Sequence, residues 1–231
     1  MFRREHHRRI AQVLHAMDPQ LLEKAECYFG GGTAIALALD EYRESADVDF
    51  LCASQAGYRL LRNTITQHDL GGIFFKPVTL LREPRADRYG IRAMLEVDGQ
   101  PVKFEIVSEG RIAIDGAMDP QFGVPTLSRE DLFAEKLLAN ADRWADRSVM
   151  SRDLIDLAAM TLHWGPIPDA AWDKASDAYG DHLRQAYNSA LERVSDRAYL
   201  KRCLDAMQVE QAFAQKLLQT LAPAREKGLD L

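Results

Sequence analysis

Cys27-Tyr28-Phe29-Gly30-Gly31-Gly32-Thr33-Ala34-Ile35-Ala36-Leu37-Ala38-Leu39 is followed by Arg43, Ser45, Asp47, Val48, Asp49 and Phe50. The run Cys27-Tyr28-Phe29 has the short apolar character of a strand end. Three glycines then allow a sharp turn and keep side chains out of the way of a ligand. Ala and Leu dominate from Thr33 onward, which predicts a helix starting right after the glycines. Unpaired backbone N–H groups at such a turn and helix start form an anion site suited to phosphate. Asp47 and Asp49 flank Val48, and the apolar run continues through Phe50-Leu51-Cys52. Residues two apart in a strand share a face, so both carboxylates point one way while Val48 and Phe50 face the core. A cation between them relieves their repulsion, and hard oxygen donors suit Mg²⁺ or Mn²⁺. A phosphate-cradling turn beside a divalent-metal pair is what nucleotide chemistry needs. Each half alone is commonly just a turn or a solvated strand end. Joined by one short helix, they are far more specific.

The pattern Gly31-Gly32-Thr33-Ala34, an apolar helix, then Arg43-x-Ser45-x-Asp47-x-Asp49-Phe50 resembles the AbiEii/AbiGii-type nucleotidyltransferases. These belong to the DNA polymerase beta-like superfamily, and several act as toxins of toxin–antitoxin pairs. A second cluster between Pro125 and Leu157 matches the same family. It comprises Leu127-Ser128, Asp131-Leu132, Ala134-Glu135-Lys136-Leu137, Ala139, Arg143, and the Arg-Asp-x-x-Asp signature at Arg152-Asp153 and Asp156. The resemblance spans roughly residues 29–157. It implies an α/β nucleotidyltransferase fold, a mixed sheet with flanking helices, over residues 1–125. A helical C-terminal region over 126–231 would complete the cleft.

The resemblance also implies roles. Asp47 and Asp49 hold the metal. Glu105, in Val102-Lys103-Phe104-Glu105-Ile106, stands where the superfamily fold puts a third metal carboxylate; the plainer reading makes it a cross-strand partner of Lys103 or Arg92. Gly31, Gly32, Thr33 and Ser45 bind the nucleotide. Lys136, in an otherwise apolar helix, can neutralise triphosphate charge. Asp153 and Asp156 share a helix face at i, i+3, and one of them can hold Lys136 or Arg152 in place. The bland alternative is a structural Lys136–Asp153 bridge. The expected reaction moves a nucleotide from an NTP to an acceptor, RNA or tRNA first, in a toxin with a winged-helix antitoxin encoded alongside. The alternatives are transfer to a small molecule of the aminoglycoside type, and a non-catalytic nucleotide-binding partner.

Composition sets the frame. The chain has 231 residues, 47% hydrophobic, with a formal net charge of −6. That argues against a uniformly basic, nucleic-acid-coating surface and leaves room for a local basic groove. Cys27, Cys52 and Cys203 are odd in number and show no paired spacing, so they read as reduced core thiols of a cytoplasmic protein. No apolar run reaches transmembrane length, so no membrane partner is expected.

Elsewhere the pattern predicts a helix over Arg3 to Met17, with Ile10, Val13, Leu14 and Met17 on one stripe. Its Arg3, Arg4, His6, His7, Arg8 and Arg9 read as a solvated face rather than a phosphate site. A helix over Gln55 to His68 is expected to end at Gly71-Gly72. Strands are expected over Ile73 to Leu81, Tyr89 to Val97 and Val102 to Val107, with a turn at Asp98-Gly99. Arg82, Arg85 and Arg88 are either part of a nucleic-acid groove or loop decoration. Helices are expected over Asp131 to Trp144 and Met150 to Trp164, then a linker at Gly165-Pro166-Ile167-Pro168. Two or three more helices are expected over Ala170 to Leu221.

Overall fold

The computed structural model describes residues 2–222. The chain enters as α1 (Glu5–Ala16), turns at Asp18, and continues in α2 (Pro19–Lys24), which the Asp18 side chain caps. β1 (Cys27–Gly30) feeds α3 (Gly31–Ala38), and β2 (Asp47–Cys52) feeds α4 (Gln55–Arg62). Short β3 (Thr79–Leu80) and β4 (Arg85–Ala86) precede the hairpin of β5 (Gly90–Val97) and β6 (Gln100–Ser108). Asp98 and Gly99, both at positive φ, make its turn. β7 (Gly116–Asp119) and β8 (Val124–Leu127) finish the sheet. Six helices follow among the described residues: α5 (Arg129–Arg143), α6 (Arg152–Trp164), α7 (Asp169–Tyr179), α8 (His182–Val194), α9 (Arg197–Ala206) and α10 (Gln211–Leu221).

The strand order is β3-β5-β6-β2-β1-β8-β7, with β4 also paired to β5. β2 runs parallel to β6 and antiparallel to β1, and β1 runs parallel to β8. The sheet is therefore mixed and flanked by helices, as the resemblance implies. Alternation along β2 works as expected. Val48 and Phe50 are fully buried, whereas Asp47 and Asp49 are half-buried on the other face. Beneath the sheet, Phe50 packs on Phe29 at 5.5 Å and on Phe104 at 6.2 Å between ring centroids. That aromatic layer fixes the pleat and so the direction of the acidic pair.

Residues of α5, α7 and α8, among them Leu132, Phe133, Leu137, Ala171 and Leu183, join the same core as the sheet. The expected division at 125/126 falls inside β8, which lies in the sheet. The end of the expected helical region, 223–231, lies outside the described residues. No helix among the described residues is long and apolar enough to cross a membrane.

Several expected boundaries shift. The helix predicted to reach His68 ends at Arg62, because β-branched Thr64, Ile65 and Thr66 follow, and Thr64 Oγ1 donates to the Leu61 carbonyl. The strand expected over Ile73 to Leu81 shrinks to Thr79–Leu80 plus a bridge from Phe74 to Met17. Pro77 has no N–H for a ladder. Four helices, not two or three, occupy 169–221, and Gly180, Ser195 and Met207 cap the ends of the first three. The three cysteines are free and buried, but Cys27 and Cys52, distant in sequence, are register partners across β1–β2. The basic stretch of α1 is not wholly solvated. His7 is fully buried, bonds Glu41 at 2.8 Å through Nδ1, and accepts the Ser45 N–H at 3.1 Å through Nε2. These partners fix the Nδ1–H tautomer. Burial pulls His7 below the ordinary histidine pKa, against the opposing pull of Glu41.

Candidate active site

Asp49 is paired in register with Glu105 across β2–β6, and Asp47 with Lys103. Register partners project to one face. These four side chains therefore form the floor of a cleft of about 340 Å³, with Gly31, Gly32, Arg43 and Ser45 along one lip. α5 makes the facing wall with Leu132, Glu135, Lys136, Ala139 and Arg143, at helical spacing. Ser128 caps α5 by accepting the Asp131 N–H at 3.1 Å, which fixes where that wall starts.

The two aspartates form no ion pair among the described residues. Neither side chain accepts a hydrogen bond from the described residues. Burial, then the neighbouring Asp47 charge, pushes the Asp49 carboxyl up to about 6. Hard oxygens in this state fit a small divalent cation, which is commonly bound by one or two carboxylates with waters and substrate phosphates completing the shell. Glu105 is not turned onto them. Its Oε1 accepts from Arg92 Nε at 2.7 Å and its Oε2 pairs with Lys103 Nζ at 2.9 Å. The expected three-carboxylate cluster is thus not assembled, and among the described residues no three His, Cys, Asp or Glu converge on a metal position. Two local cations, Arg92 and Lys103, occupy the oxygens that would have turned inward.

The glycine turn departs from expectation in its reason. The helix starts at Gly31, two residues earlier than predicted. Gly31 sits at φ +68°, and a Cβ there would lie 2.8 Å from Asp49 Oδ2. A Cβ on Gly32 would overlap the Arg43 guanidinium. The glycines thus clear space for Asp49 and Arg43 as well as opening the cleft. Thr33 is buried and does not line the cleft; its Oγ1 donates to Ser45 Oγ at 2.8 Å. It orients Ser45, which lines the cleft.

Lys136 is 6% exposed and reaches the cleft from α5. Its ammonium donates to Asp153 at 2.9 Å and pairs with Asp156 at 2.7 Å. Asp156, fully buried, also takes both forks of Arg43, Nε at 2.7 Å and Nη2 at 2.9 Å, and the Tyr42 hydroxyl. Asp153 takes a second cation, Arg143, at 2.8 Å. Burial opposes ionisation of Asp156, but Arg43 and Lys136 outweigh it and hold its pKa well below the usual carboxylate range. Asp153 is lowered likewise, Lys136 and Arg143 outweighing burial. An ammonium has three donors. Asp153 takes one of them as a hydrogen bond, and Asp156 is an ion-pair partner. The choice between Asp153 and Asp156 as the lysine's holder thus resolves to both, with Asp156 at the centre. Arg152, the other suggested partner, lines the cleft without meeting either acid in a hydrogen bond or ion pair.

Sequence reasoning gave no role to Arg43 or His7. Arg43 stands within the motif that joins the glycine turn to the aspartates, so its signal was present. His7 had none, since a histidine in a basic run reads as solvated. A further group lines the cleft beyond Val107. Arg111 pairs with Glu109 at 2.7 Å and Glu135 at 2.9 Å. Burial and then the Glu109 charge push the Glu135 carboxyl up to about 8, and its Oε1 finds no partner among the described residues.

The solved structures similar to this chain over most of its length include the following pair. One is MenT4, nucleotidyltransferase toxin Rv2826c from Mycobacterium tuberculosis H37Rv, at 17% identity and TM-score 0.47, over 94% of this chain and 84% of that one. The other is an antigenic nucleotidyltransferase-like protein from Paracoccidioides brasiliensis, at 16% identity and TM-score 0.47, over 91% and 96%. No curated protein matches the chain. Family membership comes from the sequence itself. Residues 12–227 match the family described as nucleotidyl transferase AbiEii toxin, Type IV TA system. That match takes in both motif clusters and the cleft between them, and the chain belongs to the AbiEii family of nucleotidyltransferase toxins.

Proposed function

We propose that the chain transfers a nucleotide from an NTP to an RNA acceptor, tRNA first among candidates, with a divalent metal, and is restrained by an antitoxin encoded alongside. The observation that carries this reading is that the Asp47–Asp49 pair and the buried Lys136 line one cleft. The reaction joins an acceptor hydroxyl oxygen to the α-phosphorus and breaks the bond to the bridging oxygen, so pyrophosphate leaves. Asp47 and Asp49 would hold Mg²⁺ or Mn²⁺, which supplies charge stabilisation at the phosphates. Gly31, Gly32 and Ser45 bind the triphosphate along the lip, and Thr33 acts through Ser45. Lys136 stabilises charge on the departing pyrophosphate, and Asp153, Asp156 and Arg43 position it. Glu105 would take the hydroxyl proton and complete the metal site, and to do either it would have to give up its Arg92 or Lys103 partner. Residues 1–125 supply the strand carboxylates and the helical remainder supplies the phosphate wall.

Lys136→Ala is expected to weaken NTP binding and to slow transfer by roughly 10²–10³-fold, the scale for removing a preorganised charge at a transition state. Lys136→Arg restores part of it, since a planar fork presents its donors differently. Asp153→Asn reproduces much of the defect, and the double variant is little worse than either single one. Calorimetric NTP titration and initial rates measure both. Strictly additive losses would show that Asp153 does not act through the lysine. Salt-insensitive activity on a small hydroxylated compound would favour the drug-modifying alternative.

A further inference from the structure

Between residues 53 and 95, seven Arg and Lys stand against three Asp and Glu, in a chain whose formal net charge is −6. This segment, which includes α4, β4 and the turn into β5, is thus locally net positive. Within it a concavity is lined by Arg59, Arg62, Arg88 and Tyr89, and no acid shares that lining. Tyr89 is 57% exposed, and the Arg88 guanidinium lies 4.5 Å from its ring centroid. An exposed aromatic ring beside unneutralised arginines is the usual platform for a stacked base within a backbone-tracking groove.

Two lines of structure join this concavity to the catalytic cleft. Along β6, Val107 lines the cleft and the next residue, Ser108, which projects to the opposite face, lines the concavity, so the two meet around the end of that strand. Across the sheet, Asp49, Glu105, Arg92 and Arg85 are successive register partners on β2, β6, β5 and β4. Such partners share a face, so two arginines extend the row that begins at the carboxylate pair. At about 4.8 Å per strand, Arg85 stands roughly 14 Å from Asp49 along the backbone. An acidic protein segment would use the arginines but would gain little from the open tyrosine, so the combination favours nucleic acid.

We propose that this concavity docks the single-stranded end of the RNA acceptor. Phosphates lie on Arg59, Arg62 and Arg88, a base stacks on Tyr89, and the strand passes Arg85 and Arg92 toward the carboxylate pair. The assignment rests on RNA being the acceptor.

Fluorescence anisotropy of a short labelled single-stranded RNA with the full chain tests it, across a salt series and with NTP binding measured on the same proteins. An Arg59→Glu, Arg88→Glu double variant is expected to bind RNA at least about ten-fold more weakly at low salt. Its salt slope should fall by about 0.7 for each phosphate that is no longer neutralised. Tyr89→Ala is expected to weaken binding roughly ten-fold with the slope unchanged. NTP binding stays as in wild type in both. Equal RNA binding by wild type and variants would overturn the docking site and leave the acceptor reading standing. No RNA binding by wild type even at low salt would overturn both. A defect in the charge variant without one in Tyr89→Ala would mark a surface for an acidic partner and overturn the nucleic-acid assignment.

Discussion

Asp49→Asn is expected to abolish nucleotide transfer, by roughly 10²–10³-fold or more on the scale of a lost transition-state charge partner, while making the metal-free protein more stable at pH 8. The two effects share one cause. The Asp49 carboxyl is pushed up to about 6 from an ordinary 3.8, by burial and by Asp47. A folded-state pKa above the unfolded one means that the folded chain holds the proton more tightly. That contribution is fully present below about pH 4 and is lost as pH rises through 6. The shift sets an upper bound of about 3 kcal/mol on the destabilisation above pH 6. Asn removes the charge and keeps the shape. Its melting temperature should exceed wild type by a few degrees at pH 8 and by little at pH 4, at about 2–4 °C per kcal/mol for a chain of this size. Transfer by wild type should rise across the same window, because cation ligation needs the ionised carboxylate. Thermal melts at the two pH values give the stability half. A variant less stable than wild type at pH 8 would assign Asp49 a structural role.

Asp156→Ala is expected to be the most damaging single change to the fold. Asp156 is fully buried between Arg43 and Lys136. Removing it leaves the buried Arg43 without a carboxylate and Lys136 with Asp153 alone, at a cost of about 3–5 kcal/mol. The melting temperature should fall by about 10 °C. Arg43→Met with Asp156→Leu should recover much of that loss, since the penalty comes from uncompensated charge rather than lost packing. The recovered protein should still transfer poorly, because Lys136 has lost its position. Chemical denaturation of wild type and the two variants measures this. Equal stability of the single and double variants would show that packing, not charge, holds the site.

The motif residues announce themselves in the sequence because each carries a local pattern. Asp47 and Asp49 alternate with Val48 and Phe50, so their shared face follows from the period of a strand. The start of α5 follows from Ser128 and the acids of its first turn. What stays hidden is pairing at a distance. Arg43 and Asp156 are 113 residues apart, and no spacing rule says that one takes both oxygens of the other. The partners of Glu105 are similar. Arg92 and Lys103 are both candidates from the hairpin pattern, but which charge occupies which oxygen depends on the sheet's register and side-chain reach. β7 and β8 escaped notice because four-residue strands, one carrying Pro125, leave too short a run for alternation to register. His7 escaped because basic neighbours mask a residue whose burial is decided by Glu41 and Ser45, more than thirty positions away.

Transfer of label from an NTP to RNA tests the central claim most directly. The full chain is incubated with each α-labelled NTP in turn, total RNA and Mg²⁺, beside Asp49→Asn and Lys136→Ala. The acidic pair facing a buried lysine predicts label in RNA with at least one NTP, lost on chelation and lost in both variants. Label that persists undiminished in both variants, or no label in RNA from any NTP, would contradict it.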